Sequence, residues 1–388
     1  MARGMKVLVL NVGSSTLKCW FQDMPGGKIW TAKKEWKSSE NGEALLPGLL
    51  RSIGLPGEIE IVGHRIVHGG PKYRESVLVT DEVRVGIAAE EEFAPAHNRL
   101  QLAAIDAIGH IVGRGVPQVA VFDTAFHATL APSAYVYPGP YAWLEQGIRR
   151  YGFHGISVQY STRRAAELLG RPVNASRLIV CHLGNGASVT AVANGKSVDT
   201  SMGFTPLEGL MMGTRSGSID PSIPTYLLRH GTSADELDNI LNRQSGLLGV
   251  SGFSGDMREI LQAISQGNAR ARLAYDIYAH RLTREIGAML AVLGGVDAIV
   301  FTGGIGENCV PLRQDVCAQL GFAGLKLDAG RNASQDSDQN IAAGGSPVAV
   351  LVIRADEDGE IARECQRVIS SSSGARQLSN SPAATSST

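Results

Sequence analysis

The sequence predicts an α/β protein built as two domains, and three observations carry that expectation. At 388 residues the chain is longer than one hydrophobic core usually supports, and 44% hydrophobic residues suffice to fill two. Short β-branched runs alternate with stretches of helical periodicity, which is the pattern of strands and helices in layers. The second half repeats the plan of the first, in architecture rather than in close sequence.

Taken in order, Val7–Leu10, Leu17–Gln22 and Ile29–Trp36 read as successive strands. The Gly/Pro/Leu-rich segment from Asn41 to Gly57 reads as punctuation between elements. Ile59–Val67 and Val119–Phe122 read as further strands. Between them Leu100, Ala103, Ala104, Ala107, Ile108 and Ile111 recur at helical spacing before Gly113, so a helix connects the two. In the second half, strands are expected at Leu178–Cys181, Ser188–Val192 and Ala298–Thr302, with helices around Ser233–Leu241, Ala269–Leu293 and Pro311–Leu320. After Ile369 the chain turns Ser/Ala/Gly/Asn-rich and loses apolar periodicity, which predicts a disordered tail over 370–388 with no core role.

Lys plus Arg total 36 against 37 Asp plus Glu, and a net charge of −1 offers no electrostatic footprint for nucleic acid or an anionic membrane. Cys19, Cys181, Cys309, Cys317 and Cys365 form no CxxC pair, are odd in number and are too sparse to staple a chain of this length, so a reducing cytoplasm is expected. The apolar run before Asn11 is too short for a signal sequence, and no apolar run reaches a bilayer span; neither secretion nor membrane insertion is expected.

Three glycine turns each follow a predicted strand: Asn11-Val12-Gly13-Ser14-Ser15-Thr16, Leu183-Gly184-Asn185-Gly186-Ala187-Ser188 and Thr302-Gly303-Gly304-Ile305-Gly306. Small residues there let backbone N–H groups approach an anion, and two such turns facing one another could grip a nucleotide. A lone GGxG turn is weak evidence, since about half of such glycines serve only a tight bend. Other motifs are absent. Gly195-Lys196-Ser197 mimics the end of a P-loop, but Thr190 stands where GxxxxGK[ST] needs Gly, leaving a polar turn. There is no GxSxG elbow. His64 and His68 lack the Glu of HExxH and lie in strand-like sequence, so a structural or positioning role is expected of them rather than zinc ligation.

Asn11–Lys18, His64-Arg65-Ile66-Val67-His68-Gly69-Gly70, Phe122-Asp123-Thr124-Ala125-Phe126-His127 and Tyr151-Gly152-Phe153-His154-Gly155 resemble the acetate kinases, with propionate kinases as near relatives. The resemblance continues through His182–Ser188, Met212–Pro221 and Thr302–Asn308 and covers almost the whole chain. It implies the ribonuclease H-like fold of actin, sugar kinases and Hsp70-type ATPases, two similar α/β domains around a nucleotide cleft, and a homodimer. By that analogy residues 1–127 and 359–388 form an N-terminal domain, and 128–358 a second, nucleotide-binding and dimer-forming one. The implied reaction is reversible transfer of the γ-phosphoryl group of ATP to acetate or another short-chain carboxylate, giving an acyl phosphate and ADP.

An anionic nucleophile must meet an anionic phosphate in line, so cationic groups have to neutralise charge on the transferring oxygens. Arginine holds such oxygens bidentately and stays charged. The resemblance accordingly assigns Arg65 to the carboxylate and Arg215 to the transition state, where His154 donates a hydrogen bond. Asp123 matches the family's active-site aspartate. A carboxylate substrate with a pKa of about 4 is already ionised at neutral pH, so Asp123 is expected to orient an arginine or a metal-bound water, or to tune local charge, rather than remove a proton. Asn11 and Glu357 match the magnesium-associated positions, Mn²⁺ being a possible substitute. Lys18 and the His182, Leu183, Gly184, Asn185, Gly186 turn match ATP-binding positions. So do Asp256, Met257 and Arg258 beside the adenosine, and Gly304, Ile305, Gly306, Glu307 and Asn308 beside the base and ribose. Val67, Ala96, His97, Phe153 and Pro206 match the acyl pocket. His110, His230 and His280 fall outside any motif and are read as structural.

Two positions depart from the family pattern. Where Ala-Pro-Leu-His-Asn-Pro-Pro-Asn is usual, the chain reads Ala94-Pro95-Ala96-His97-Asn98-Arg99-Leu100-Gln101, so a bulky pocket residue has become Ala96. The room gained discriminates by roughly 1–3 kcal/mol per methylene, which predicts broadened specificity with propionate used nearly as well as acetate. The second departure, Arg354-Ala355-Asp356-Glu357-Asp358-Gly359 in place of a Pro-Thr-Asn-Glu-Glu pattern, keeps Glu357 but alters its neighbours. A propionate or butyrate kinase differs from this reading only in pocket volume. An actin- or Hsp70-like conformational ATPase is the alternative of another class, and the acyl-side residues speak against it.

Overall fold

The structure is a computed structural model; it describes residues 5–13, 16–24, 26–27, 29–36, 41–90, 95–334, 336 and 338–379, without the side chains of 95–97 and 372–379. The chain divides into two compact units, Met1–Ala125 with Glu357–Thr388, and Phe126–Asp356.

The first unit is built on a six-stranded sheet in the order β3-β2-β1-β4-β6-β5. Its strands are β1 (Met5–Val12), β2 (Thr16–Met24), β3 (Ile29–Glu35), β4 (Ile61–Ile66), β5 (Val77–Leu78) and β6 (Gln118–Phe122). β1, β2 and β3 form an antiparallel meander, while β1, β4 and β6 run parallel. Alternation along β1 decides its two faces. Leu8, Leu10 and Val12 join Leu46, Leu50, Ala104 and Ile108 from the helices Gly42–Ser52 and Pro95–Val112 in one buried cluster. On the sheet's other face lies the helix Glu357–Ser379. It comes so close to β4 that a Cβ on Gly63 would stand 2.7 Å from Cys365 Sγ and from Ile361 Cγ2, which requires glycine there.

The second unit repeats this plan strand for strand, in the order β11-β12-β10-β7-β8-β9. These are β7 (Arg177–Leu183), β8 (Ala187–Ala193), β9 (Lys196–Thr200), β10 (Ala298–Thr302), β11 (Gln339–Asn340) and β12 (Ala349–Val352). Again the first three strands form an antiparallel meander and the first, β7, runs parallel to β10, which runs parallel to β12. Val158 and Ala165 of the Gly155–Leu169 helix pack on Leu178, Val180, Ala298 and Val300 from one side. The long Ala269–Leu293 helix packs on β7, β8 and β9. The Lys196 segment is a hairpin turn entering β9: Asn194 and Gly195, at φ 54° and 75°, supply the two left-handed residues that such a two-residue connection needs.

Three expectations are corrected. The Asn41–Gly57 punctuation contains an 11-residue helix, Gly42–Ser52, started by the Asn41 side chain accepting from the Ala44 N–H and holding Pro47 inside it. Leu46 and Leu50, four apart, bury against the sheet and outweigh the breakers, since tertiary packing overrides propensity. The third glycine turn is itself helical, Gly303–Asn308, rather than a loop before the next helix at Val310–Gln319. The C-terminal helix runs on to Ser379, ten residues past the end of apolar periodicity, because an established helix adds one hydrogen bond per residue without needing a buried face. The tail over 380–388, with Ser14, Ser15 and Ala94, lies outside the described residues.

Candidate active site

In open α/β sheets ligands sit beyond the carboxyl ends of the parallel strands. In the first unit those ends gather the residues that the motifs single out. Asn11 is near the end of β1, Arg65 near the end of β4, and Asp123 follows β6, its N–H bonded to the Ile66 carbonyl at 2.9 Å. Glu357 arrives from the opening turn of the C-terminal helix. The Arg65 guanidinium ties the group together. Its Nε and Nη2 both donate to the Asp123 carboxylate, Nη2 at 2.7 Å, while Nη1 faces Glu357 Oε2 at 3.4 Å and Asn11 Oδ1 at 3.5 Å. Burial disfavours the charge on Arg65, but Asp123 and Glu357 overcome it and hold the arginine firmly protonated. Burial also pushes the Asp123 carboxyl up, and Glu357 adds to this against the pull of Arg65.

Around this cluster Val67 is buried, its N–H donating to Gln101 Oε1 at 3.1 Å. Gln101 in turn reaches the Val12 carbonyl, and Asn98 donates to the carbonyls of His68 and Ile87. Ala96 and His97 stand in the first turn of the Pro95–Val112 helix, with their side chains outside the described set. Lys18 is exposed on β2, directly opposite Asn11 in the β1–β2 register. His64 is buried and donates to Gln118 Oε1 at 2.6 Å, a structural contact.

In the second unit the same strand ends carry a different chemistry. A cavity of about 610 Å³ is lined by Gly184, Asn185, Gly255, Asp256, Met257, Arg258, Leu261, Gly304, Ile305, Asn308 and Cys309. Two glycines let its walls approach: a Cβ on Gly213 would meet the Gly255 carbonyl at 3.1 Å, and one on Gly255 the Gly213 carbonyl at 2.7 Å. Asp256 caps the Met257–Ser265 helix by accepting from the Arg258 N–H at 2.8 Å. Glu307 does not face this cavity. Its Oε1 accepts from the N–H groups of Gly303 and Ala355, both at 3.0 Å, and so pins the start of the Gly303–Asn308 helix. Leu183 is wholly buried in β7. Gly303, at φ 77°, packs so closely that a Cβ would lie 2.8 Å from the Leu183 carbonyl.

Arg215 and His154 converge on Gly186, where a Cβ would lie 3.3 Å from both Arg215 Nη1 and His154 Nε2. His154 is held in the left-handed region, φ 58° and ψ 19°, at the head of the Gly155–Leu169 helix. Its Nδ1 pairs with Ser188 Oγ at 3.0 Å and its ring stacks on His182 at 4.2 Å, while His182 Nδ1 pairs with Ser157 Oγ at 2.7 Å. A non-glycine residue in this conformation stores strain, which clusters at functional sites. His127 fixes the loop behind it: its Nε2–H donates to the Phe153 carbonyl at 2.9 Å, so Nδ1 accepts from Ser197 O–H. Arg215 Nη1 donates to the Pro206 carbonyl at 3.1 Å, and Arg215 has no carboxylate partner among the described residues. Burial lowers its pKa. A desolvated, uncompensated guanidinium is suited to an incoming anion.

Sequence reasoning overlooked Ser157, Ser188, Gln101, Gly255, Leu261 and the Pro206 carbonyl. Ser188 stood inside a quoted motif, but a hydroxyl that acts through a histidine carries no separate pattern. The described residues contain no cluster of three His, Cys, Asp or Glu that could by itself hold a metal ion.

By comparison with known proteins the molecule is a phosphotransferase, a kinase that phosphorylates a carboxylate. Residues 49–363 match the Acetokinase family. The acetate kinase of Gloeobacter violaceus is 51% identical over 93% of this chain and 98% of its own length. That of Acaryochloris marina is 52% identical, over 93% and 99%. The crystal structure of Porphyromonas gingivalis acetate kinase superposes with a TM-score of 0.86 at 39% identity, over 94% of this chain and 100% of that one. A propionate kinase from Francisella tularensis gives 0.85 at 37% identity, with the same coverage. The chain belongs to the acetokinase family, and its two similar α/β halves are the fold that these enzymes share with sugar kinases and actin-like ATPases.

Proposed function

We propose that the protein transfers the γ-phosphoryl group of ATP directly and reversibly to acetate, and to propionate with comparable efficiency, forming the acyl phosphate and ADP. The observation that carries this reading is Arg215: a half-buried guanidinium with no carboxylate partner among the described residues, beside a strained histidine, both at the glycine turn that leads into the cavity. In this account the cavity takes the adenosine, with Gly184 and Asn185 at its phosphate end. Arg215 and the His154 Nε2–H then stabilise charge on the equatorial oxygens as the bond to ADP breaks and the bond to the carboxylate forms. Arg65 holds the acid. Asp123 orients Arg65 and takes no proton, since the substrate arrives ionised. Val67, Ala96, His97, Phe153 and Pro206 are the residues read as serving the acyl group.

The donor set of Asn11, Asp123 and Glu357 fits Mg²⁺, or Mn²⁺, in kind: hard oxygens, too few to cage the ion alone, which suits a cation that keeps waters and shares phosphate oxygens. When bound, such an ion supplies positive charge to the phosphoryl oxygens. We further propose a cytoplasmic homodimer in which the second unit makes the interface. Exposed Tyr141, Trp143, Ile223, Tyr226 and Leu228 support it, as does the Ser222–Arg229 helix, which buries none of its residues.

The test is trapping of acyl phosphate as hydroxamate from ATP with formate, acetate, propionate and butyrate, compared by kcat/KM. Acetate and propionate at similar efficiency are expected, and Ala96→Leu should shift the ratio toward acetate by about tenfold. No product with any acid would overturn the reading, and strong acetate preference in the unaltered protein would refute the open pocket at Ala96.

A further inference from the structure

Five residues, Phe204 to Glu208, carry Pro206 at their centre, and both ends of the segment hang on one phenol. The Phe204 N–H donates to Tyr137 Oη at 2.8 Å, so the tyrosine oxygen accepts there and its single proton goes to Glu208 Oε2. The other Glu208 oxygen takes Arg150 Nη2 at 2.7 Å. The remaining arm of Arg150, Nη1, collects the carbonyls of Thr200, Ser201 and Met202 at 2.9, 3.1 and 2.9 Å. Gly203 leaves room for this pair, because a Cβ there would overlap both Glu208 Oε2 and Tyr137 Oη and displace them. The backbone N–H of Tyr151 bonds the Gly203 carbonyl at 3.0 Å, so the stretch leading to Phe153 and His154 is tied to the same loop.

We infer that Tyr137 is a positioning residue: its hydroxyl, with Glu208 and Arg150 behind it, fixes Pro206 and, through the Pro206 carbonyl, the guanidinium of Arg215. The inference rests on the functional reading above, in which Arg215 meets the transferring phosphoryl group and Pro206 the acyl chain. The Pro206 carbonyl and the Met212 sulfur, at 3.1 and 3.6 Å, are the partners that orient Arg215. Releasing one end of the Phe204–Glu208 segment therefore moves a catalytic charge and a pocket wall together. The adenosine cavity shares none of these residues. Nothing in the motif pattern marks Tyr137, which lies outside every glycine turn and outside every arginine or histidine motif.

The experiment compares unaltered protein, Tyr137→Phe and Glu208→Gln. It measures kcat and KM for ATP and for acetate, propionate and butyrate by hydroxamate trapping, with urea unfolding alongside. Tyr137→Phe keeps the ring and loses only the two hydrogen bonds. It should lower kcat roughly tenfold or more, as misplacement of a catalytic group does, and change the ratio of kcat/KM among the three acids by about threefold or more. KM for ATP should stay within about twofold. Glu208→Gln keeps an acceptor for the tyrosine but loses the charge facing Arg150, and should move the same quantities in the same direction by less. A Tyr137→Phe protein with the original kcat and acid ratio overturns the inference. So does a fall shared equally by all three acids together with a raised KM for ATP, which is general loosening. Should Tyr137→Phe not fold, Glu208→Gln decides by the same criteria. Unaltered protein that makes no acyl phosphate overturns the kinase reading itself, and this inference with it.

Discussion

Arg65 and Arg215 are alike in the sequence, each an arginine in an apolar or glycine-rich setting, and the structure separates them. Arg65 is compensated by Asp123 and Glu357, whereas Arg215 donates to the Pro206 carbonyl and the Met212 sulfur and has no carboxylate partner among the described residues. Their removal therefore has different consequences. If the proposed role of Arg215 holds, with its charge used as the transition state forms, Arg215→Ala should cut kcat by about 10²–10³-fold while leaving KM for ATP within a few-fold. Steady-state kinetics that show a normal kcat would remove it from that role. Asp123→Ala strips the main partner from a nearly buried guanidinium and should destabilise the protein by roughly 3 kcal/mol, read as a lowered urea midpoint. An unchanged midpoint would mean that Glu357 and Asn11 suffice. The charged residues that the structure gathers at these strand ends were legible as candidates in the sequence because they stand in glycine-flanked motifs. Their partners Ser157, Ser188 and Gln101 were not, since a serine or glutamine that orients a neighbour through one hydrogen bond looks like any other polar residue.

Strands were more legible than the helices between them. β1, β7 and β10 show unbroken runs of buried, largely aliphatic residues, the pattern of strands covered on both faces. The Gly42–Ser52 helix was hidden by Pro47 and two glycines, and only the spacing of Leu46 and Leu50 signals it. The Gly303–Asn308 helix was hidden by its glycines, and its tight seat against β7 explains them. A side chain at Gly303 would be strained at φ 77° and would press on the Leu183 carbonyl. Gly303→Ala should thus cost about 1–3 kcal/mol and raise KM for ATP, since Gly304, Ile305 and Asn308 on that helix line the cavity. A variant with unaltered KM for ATP would detach this helix from nucleotide binding.

Two sheets of identical strand order make the whole molecule a duplicated scaffold that carries different chemistry at equivalent strand ends. The duplication could be read as architecture, because alternating strand and helix patterns survive when the side chains do not. The acidic limit of the fold could not, because it depends on burial. His64 in the first unit and His127 in the second are each pushed down to about 4 by burial. Between that value and the ordinary 6.5 the unfolded chain binds protons that the native state does not. Stability from these histidines is therefore complete above about pH 6.5 and is lost as the pH falls toward 4, by about 2 kcal/mol each near pH 5. Urea unfolding near pH 7.5 and near pH 5 should show the loss, and His64→Gln should lessen it by about 2 kcal/mol; equal losses in both proteins would contradict the assignment. The central claim is that phosphoryl passes once, directly from ATP to the carboxylate, with His154 donating a hydrogen bond and no side chain taking the phosphoryl group. Its most direct test is the stereochemical course with ATP made chiral at the γ-phosphorus. Inversion in the acyl phosphate is predicted for a single in-line transfer, and retention would require two transfers and a phosphorylated side chain, contradicting the account.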